Sequence, residues 1–166
     1  RLMITSGLSK AYGLPGLRLG WAVVPEERVE QIWARKDYTS ISAGALSDKL
    51  ATFALSDDVR DKLLGRTRGI LNANWPVLED WLQSRSDTFS WRAPDAGAIV
   101  YARYDMPIGG LDLAERLRVE ADCLIVPGEH FDMPSYVRLG FGPQQERLTD
   151  ALDRCATVID PLRTAS

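Results

Sequence analysis

The most informative part of the chain is residues 6–20, which read SGLSKAYGLPGLRLG. This segment places one lysine, one arginine and four glycines between two apolar stretches, a composition typical of a loop that joins two strands. Glycines allow backbone N–H groups to approach an anion closely, and the guanidinium of Arg18 stays charged and matches the oxygens of a phosphate. The segment therefore predicts a loop that can bind a phosphate.

Lys10 in the same segment offers a different chemistry, because a lysine amine can act as a nucleophile. A lysine that lies near another positive charge and is partly removed from water loses its proton more readily, and the neutral amine can attack an aldehyde carbon. Taken singly, Lys10 and Arg18 are better interpreted as solvated surface side chains. Their combination in one glycine-rich loop favours the chemical interpretation.

The spacing of these residues resembles the cofactor-lysine signature of the class I and II aminotransferases, which are pyridoxal-phosphate (PLP) enzymes of fold type I. The common form of that signature is Ser-x-Ser-Lys-x-x-Gly-x-x-Gly-x-Arg-x-Gly. This chain matches it at Ser9, Lys10, Gly13, Gly16, Arg18 and Gly20. The resemblance implies that Lys10 is catalytic and holds PLP covalently, and that Ser9 and Arg18 bind the PLP phosphate. The chain departs from the signature at Gly7, where the first serine usually stands. Its nearest serine on that side is Ser6, one residue earlier.

A second signal is the segment YVRLGF at residues 136–141. Strand alternation puts Val137 and Leu139 on one face and Arg138 on the other. In the same family, a late strand of the small domain carries an arginine that binds the α-carboxylate of the substrate, and the resemblance implies this role for Arg138. A guanidinium fits a carboxylate through two parallel hydrogen bonds. The alternative is a charge on an edge strand that faces water.

Apolar periodicity and turn residues predict the order of secondary structure. In the first part of the chain we expect a buried strand at 2–5, a strand at 17–24, and helices at 25–36, near 46–54 and from Asp57 to about Leu82. In the second part we expect strands at 88–91, 98–104, 123–126 and 136–141, a helix capped by Asp112, and a final helix. Pro76 should bend the long helix, because proline removes a backbone hydrogen bond.

These elements predict an α/β chain with two parts. The resemblance implies that residues 1–75 are the C-terminal part of the PLP-binding large domain of fold type I, and that residues 76–166 form a small α+β domain. Because Arg1 is not a methionine and the first strand has no preceding turn, we expect further residues upstream. In the family, the groups that contact the PLP ring precede the lysine, so the isolated chain is expected to be inactive.

Composition excludes several classes of protein. The net charge of −3 and the absence of a basic stripe argue against nucleic acid as a partner. No apolar run approaches the roughly 20 residues of a membrane span, and the N-terminus lacks the pattern of a secretion signal, so we expect no membrane contact and a cytoplasmic location. Cys123 and Cys155 are expected to be buried free thiols. With His130 as the only histidine, no metal site is expected.

The resemblance implies a PLP-dependent aminotransferase that moves an amino group from an amino acid to a 2-oxo acid, as a homodimer. Residues 38–42 resemble the family segment that reaches the active site of the neighbouring subunit, and Arg35 could meet a substrate carboxylate there, although a solvated helix-end arginine is the simpler interpretation. Two alternatives stay open: a lyase or cyclase of an antibiotic pathway on the same fold, or a ligand-sensing domain of a regulator. A hydrolase triad of His130, Asp132 and Ser135 is rejected, because no Gly-x-Ser-x-Gly motif exists.

Overall fold

The chain divides into two compact units along one long helix. The computed structural model describes residues 2–163, and the units comprise Arg1–Arg68 and Gly69–Ser166. The helix that contains the division, α3, runs over Asp57–Gln83 and continues through Pro76. The domain boundary predicted between residues 75 and 76 lies further along the same helix and stays a prediction.

The first unit contains a strand pair and helices. Strand β1, Ile4–Gly7, pairs antiparallel with β2, Gly20–Val23, so that Gly7 lies opposite Gly20. A 3-10 turn at Pro15–Leu17 precedes β2. The helices of this unit are α1 over Glu26–Lys36, α2 over Ala45–Ala54 and the first part of α3.

The expectation of a buried first strand was wrong for the described residues. Every residue of β2 is exposed, and Ile4 of β1 is 50% exposed. The physical reason is that β1 and β2 form a two-stranded sheet, which has no further layer among residues 2–163 to cover it. The second strand also begins later than expected, because Arg18 adopts a left-handed conformation with φ of 52° after the 3-10 turn.

The second unit is built on a four-stranded antiparallel sheet. Helices α4, Gly110–Ala121, and α5, Gln145–Arg163, pack with the end of α3 over one face of this sheet. The strands are β3 at Phe89–Trp91, β4 at Ile99–Tyr104, β5 at Val126–Pro127 and β6 at Tyr136–Gly140. Their order in the sheet is β3-β4-β6-β5. The core of the unit includes Leu82, Val100, Leu113, Val137, Phe141 and Ile159. Strand alternation leaves the other face of the sheet without these helices.

Helix α4 is capped differently from the prediction. Asp112 lies within the first turn rather than at the cap, which is Gly109. The backbone N–H of Gly110 donates instead to Oε1 of Glu129 at 2.7 Å, so a carboxylate from a later turn satisfies the free amide and complements the helix dipole. A side chain at Gly110 would clash with that carboxylate.

The two cysteines are buried and free, as expected. Cys123, however, precedes β5 instead of lying within it, and its Sγ lies 3.3 Å from the carbonyl oxygen of Ala121 and 3.4 Å from that of Ala151. Burial, together with a hydrogen bond to Cys123, raises the pKa of the Cys155 thiol to about 12. Both thiols therefore act as small apolar side chains of the core.

A network of ion pairs joins the end of α3 to the end of α5. Arg85 donates to both carboxylate oxygens of Asp160 at 2.8 Å, and its guanidinium lies 4.3 Å from the ring centroid of Trp81. Arg163 donates to Asp160 at 3.1 Å and to Asp87 at 2.6 Å and 2.9 Å. The hydrogen bond from Arg85 lowers the pKa of Asp160, and the one from Arg163 lowers the pKa of Asp87.

Acid should weaken the second unit through this network. A carboxyl whose pKa is lower in the folded state stabilises folding only while it is charged. The contribution of Asp160 and Asp87 is therefore complete above their ordinary value of 3.8 and is lost as the pH falls through the lower folded values. Chemical denaturation from pH 6 down to about pH 2, on the wild type and on Arg163→Met, measures this. Below pH 3.8, the free energy of unfolding of Arg163→Met should fall less than that of the wild type. An equal fall in both proteins would contradict the prediction.

Among residues 2–163, no helix has the length and apolarity needed to cross a membrane. In the same part of the chain, no group of three or more His, Cys, Asp or Glu side chains is arranged to hold a metal ion.

Candidate active site

Backbone hydrogen bonds within the segment between β1 and β2 hold the lysine loop in place. The N–H of Gly13 donates to the carbonyl oxygen of Lys10 at 2.9 Å, which closes a tight turn over residues 10–13. The N–H of Leu14 donates to Leu8 at 3.0 Å, and the N–H of Leu8 donates to Leu19 at 3.1 Å. Leu8 is completely buried, so it anchors the turn on its apolar side. Gly13 has a φ of 66°, a conformation that favours glycine.

The structure brings Ser9, Lys10 and Arg18 onto this one loop. Ser9 is half-buried, whereas Lys10 and Arg18 are exposed. Nη1 of Arg18 donates to the carbonyl oxygen of Pro15 at 3.0 Å, which ties the guanidinium to the 3-10 turn. The partial removal of Lys10 from water that we expected is not found within residues 2–163, because no described element covers the loop on that side.

Arg66 of helix α3 is a basic residue that lies beside this loop, and the sequence did not predict it. Its Nη2 lies only 2.6 Å from the position that a Cβ on Gly13 would occupy. The guanidinium is therefore packed against the backbone of the lysine turn. Nothing in the local sequence around Arg66 indicates this contact, because Arg66 and Gly13 are far apart along the chain.

Arg138 lies on an interior strand of the second unit. Strand β6 has β4 on one side and β5 on the other, and Arg138 is paired with Tyr101 and with Val126. Its neighbour Val137 is 1% exposed on the helix-covered face, so Arg138 points to the opposite face, as alternation predicts. The alternative of an edge-strand arginine is wrong. Arg138 is half-buried and has no acidic partner among the described residues.

Aromatic rings adjoin Arg138 on the same face of the sheet. Tyr101 stacks on Tyr136 with ring centroids 5.4 Å apart and an interplanar angle of 16°. Phe131 meets Tyr101 edge-on at 6.2 Å and 85°. The hydroxyl of Tyr101 is buried and has no hydrogen-bond partner in the described part of the chain. Tyr101 is the cross-strand neighbour of Arg138, so these rings lie at the border of the arginine on this face.

The other residues singled out from the sequence take no part in a cluster. His130, Asp132 and Ser135 are exposed, and Asp132 and Ser135 have positive φ of 56° and 64°, which is typical of turns. Tyr38 is 92% exposed. Arg35 donates to the carbonyl oxygen of Gln31 at 2.9 Å, within its own helix.

The side chains of the lysine loop fit a ligand that carries an aldehyde and a phosphate. Lys10 offers an amine, Arg18 a guanidinium and Ser9 a hydroxyl, and neither Lys10 nor Arg18 has an acidic partner among residues 2–163. An amine of this kind can bond to an aldehyde carbon. A guanidinium and a hydroxyl are suitable donors to phosphate oxygens. This donor set fits the aldehyde and the phosphate of PLP.

Comparison with known proteins gives the family that the sequence of the lysine loop resembles. A family model described as aminotransferase class I and II matches residues 1–155. Capreomycidine synthase from Streptomyces vinaceus is 31% identical over 150 residues, which cover 89% of this chain and 38% of the relative. A solved PLP-dependent aminotransferase from Streptococcus suis 89-1591 has a TM-score of 0.90 at 30% identity, covering 96% of this chain and 42% of its own. The PLP-dependent cyclase OrfR has a TM-score of 0.87 at 28% identity, covering 99% and 44%.

These matches confirm the predicted fold class, the α/β architecture of part of a fold-type-I aminotransferase. The chain spans about two fifths of the length of the relatives it matches. The match to the family model extends over most of the chain, including the lysine loop and Arg138. The chain therefore belongs to the class I and II aminotransferases, a family that depends on pyridoxal phosphate.

Proposed function

We propose that the complete protein transfers an amino group from an amino acid to a 2-oxo acid. In this proposal Lys10 is the catalytic residue, Ser9 and Arg18 bind the phosphate of PLP, and Arg138 binds the substrate. The observation that carries the proposal is the closed turn at residues 10–13, which presents Lys10 on a loop together with a guanidinium and a hydroxyl. The family match over residues 1–155 supports it.

Lys10 has two tasks in this reaction. When bound, PLP supplies an aldehyde carbon and an electron-withdrawing ring. When PLP is bound, the ε-amine of Lys10 would hold it through a covalent bond. The same amine would move the proton at the substrate Cα, as general base and later as general acid.

The arginines and the serine orient the reactants. Arg18 and the hydroxyl of Ser9 would donate to the phosphate oxygens of PLP and so hold the cofactor beside Lys10. Arg138 would bind the α-carboxylate of the substrate with two parallel hydrogen bonds, which fixes the orientation of that group. Strand β6 is paired on both sides, so the backbone of Arg138 is hydrogen-bonded to two neighbouring strands.

Replacing Arg138 by lysine should weaken substrate binding. Lysine keeps the charge but loses the planar pair of donors. In the complete gene product, we expect Arg138→Lys to raise KM for the amino acid by about 10–100-fold, with a smaller fall in kcat. Arg103→Lys is the matched control, because Arg103 is an exposed arginine on the same face of the neighbouring strand β4. Equal KM values for the wild type and Arg138→Lys would contradict the proposed role.

Reduction with borohydride tests the proposed function directly. The complete gene product is mixed with PLP, reduced and digested, and the peptides are analysed by mass. A pyridoxyl group is expected on Lys10, because reduction makes the bond between an amine and an aldehyde carbon permanent. A pyridoxyl group found only on another lysine, or on none, would refute the assignment.

A second candidate is cyclisation of an amino acid on the same scaffold. Two similar proteins favour it: capreomycidine synthase at 31% identity and the cyclase OrfR at 28% identity. Lys10 and Arg138 would keep their roles, because the fold does not determine which bond to Cα is broken. Analysis of the products separates the candidates. Transamination yields a 2-oxo acid and an aminated cofactor, whereas cyclisation yields a ring and leaves the cofactor as the aldehyde.

We also propose that the complete protein is a cytoplasmic homodimer whose cofactor site includes residues outside this chain. Exposed apolar side chains of the first unit support an interface, among them Trp33, Tyr38, Leu46 and Phe53. Exposed large apolar side chains are common in contact regions between proteins. Light scattering on the complete gene product measures its mass, and a monomeric mass at micromolar concentration would refute the dimer.

A further inference from the structure

Arg66 makes a contact that distinguishes it from an ordinary surface arginine. It lies on α3 within the first unit, and its Nη2 is packed against Gly13, 2.6 Å from where a Cβ would stand. Thr67 also faces this position, with Oγ1 at 3.9 Å. Gly13 is the residue whose N–H closes the turn onto the carbonyl oxygen of Lys10. Arg66 thus packs on the closing residue of the turn that presents the lysine.

The charge of Arg66 is not balanced nearby. None of Lys10, Arg18 and Arg66 has an ion-pair partner among residues 2–163, although other arginines of the chain form many ion pairs, such as Arg85 with Asp160. An unpaired arginine on a helix usually extends into water. Arg66 is also exposed, but the end of its guanidinium lies against Gly13, so the turn cannot move toward that group without displacing it.

We propose that Arg66 is a positioning residue for the lysine turn. Its guanidinium holds the backbone at Gly13 and so keeps Lys10 in the orientation that the bond to the cofactor requires. This inference rests on the proposed function of Lys10. It also explains why position 13 is a glycine: φ is 66°, and a side chain there would displace Arg66.

Variants of Arg66 test the proposal in the complete gene product. Binding of PLP is titrated by the absorbance of the lysine-linked cofactor, and thermal unfolding is followed without PLP. We expect Arg66→Ala to raise the dissociation constant of PLP about 10-fold, because the turn that presents Lys10 is then less firmly held. Arg66→Lys should recover part of this loss, because it keeps the charge but not the planar shape. Arg68→Ala, two residues along the same helix and exposed, should bind PLP as the wild type does.

A double-mutant cycle examines the contact itself. Gly13→Ala should weaken PLP binding in the wild-type background, since it strains the backbone and displaces Arg66. In the Arg66→Ala background, Gly13→Ala should have a smaller effect, because the displaced group is already absent. Effects that simply multiply in the double variant would overturn the proposal.

Two further results would also overturn it. One is PLP affinity in Arg66→Ala equal to that of Arg68→Ala. The other is a lower melting temperature in Arg66→Ala with unchanged PLP affinity, which is the signature of a purely structural arginine. Failure of the proposed function is a separate outcome, because it is visible in the wild type as an absence of reducible pyridoxyl on Lys10.

Discussion

Replacing Lys10 by alanine should abolish covalent binding of PLP and nearly all activity of the complete protein. In the proposed function, the variant lacks both the amine that bonds to the cofactor and the base that removes the Cα proton. Because general acid–base catalysis alone contributes up to about 10⁴-fold, we expect kcat to fall by at least about that factor. The absorbance of the lysine-linked cofactor should disappear at the same time.

The controls for Lys10→Ala separate loss of chemistry from loss of structure. Lys10→Arg keeps a positive charge in the loop but cannot form the bond, so it should be as inactive as the alanine variant. Lys62→Ala removes an exposed lysine on α3 and should retain wild-type activity. Lys10 is exposed in the described residues, so Lys10→Ala should unfold at nearly the wild-type temperature. Substantial turnover by Lys10→Ala would eliminate the proposed role.

Replacing Asn74 by aspartate should strongly destabilise the second unit. Asn74 is 1% exposed, and its Nδ2 donates to the carbonyl oxygens of Phe141 at 2.8 Å and Pro143 at 2.7 Å. An aspartate there loses both donated hydrogen bonds and directs a buried negative charge toward two carbonyl oxygens. We expect a loss of about 3–5 kcal/mol in the free energy of unfolding at pH 7, measured by chemical denaturation.

The pH dependence of Asn74→Asp provides an internal check. Burial beside carbonyl oxygens should raise the pKa of the new carboxyl in the folded state above its ordinary value. The destabilisation is then greatest at neutral pH and decreases as the pH falls toward 5, where the carboxyl takes up a proton and donates a hydrogen bond. Asn72→Asp, an exposed position on the same helix, should change stability by less than about 0.5 kcal/mol. Equal effects at positions 72 and 74 would contradict the expectation.

Much of the fold could be predicted because its helices carry strong local signals. Apolar spacing and an acidic first turn predicted α1, which is observed at Glu26–Lys36. A long apolar period predicted α3, which is observed at Asp57–Gln83. The strands β3, β4 and β6 also lie close to their predicted ranges. Strand alternation placed Arg138 correctly on the face opposite Val137. Periodicity of this kind depends only on the geometry of a few consecutive residues.

Predictions that depended on distant partners were less accurate. The cap of α4 comes from Glu129, 19 residues beyond Gly110, instead of Asp112. The first strand is exposed because no described layer covers it. Asn74, which joins α3 to the segment after β6 through bonds spanning 67 and 69 residues, has no local signal at all.

The sequence by itself determined the family and the lysine loop, because the spacing of Lys10, Gly13 and Arg18 is a local pattern that a short segment carries completely. Only the tertiary structure decided that Arg138 lies on an interior strand and that Arg66 packs against Gly13. The physical reason is that strand order and side-chain contacts between separate elements depend on how the whole chain packs its apolar surfaces. No local periodicity encodes which distant residue will lie beside a given backbone atom.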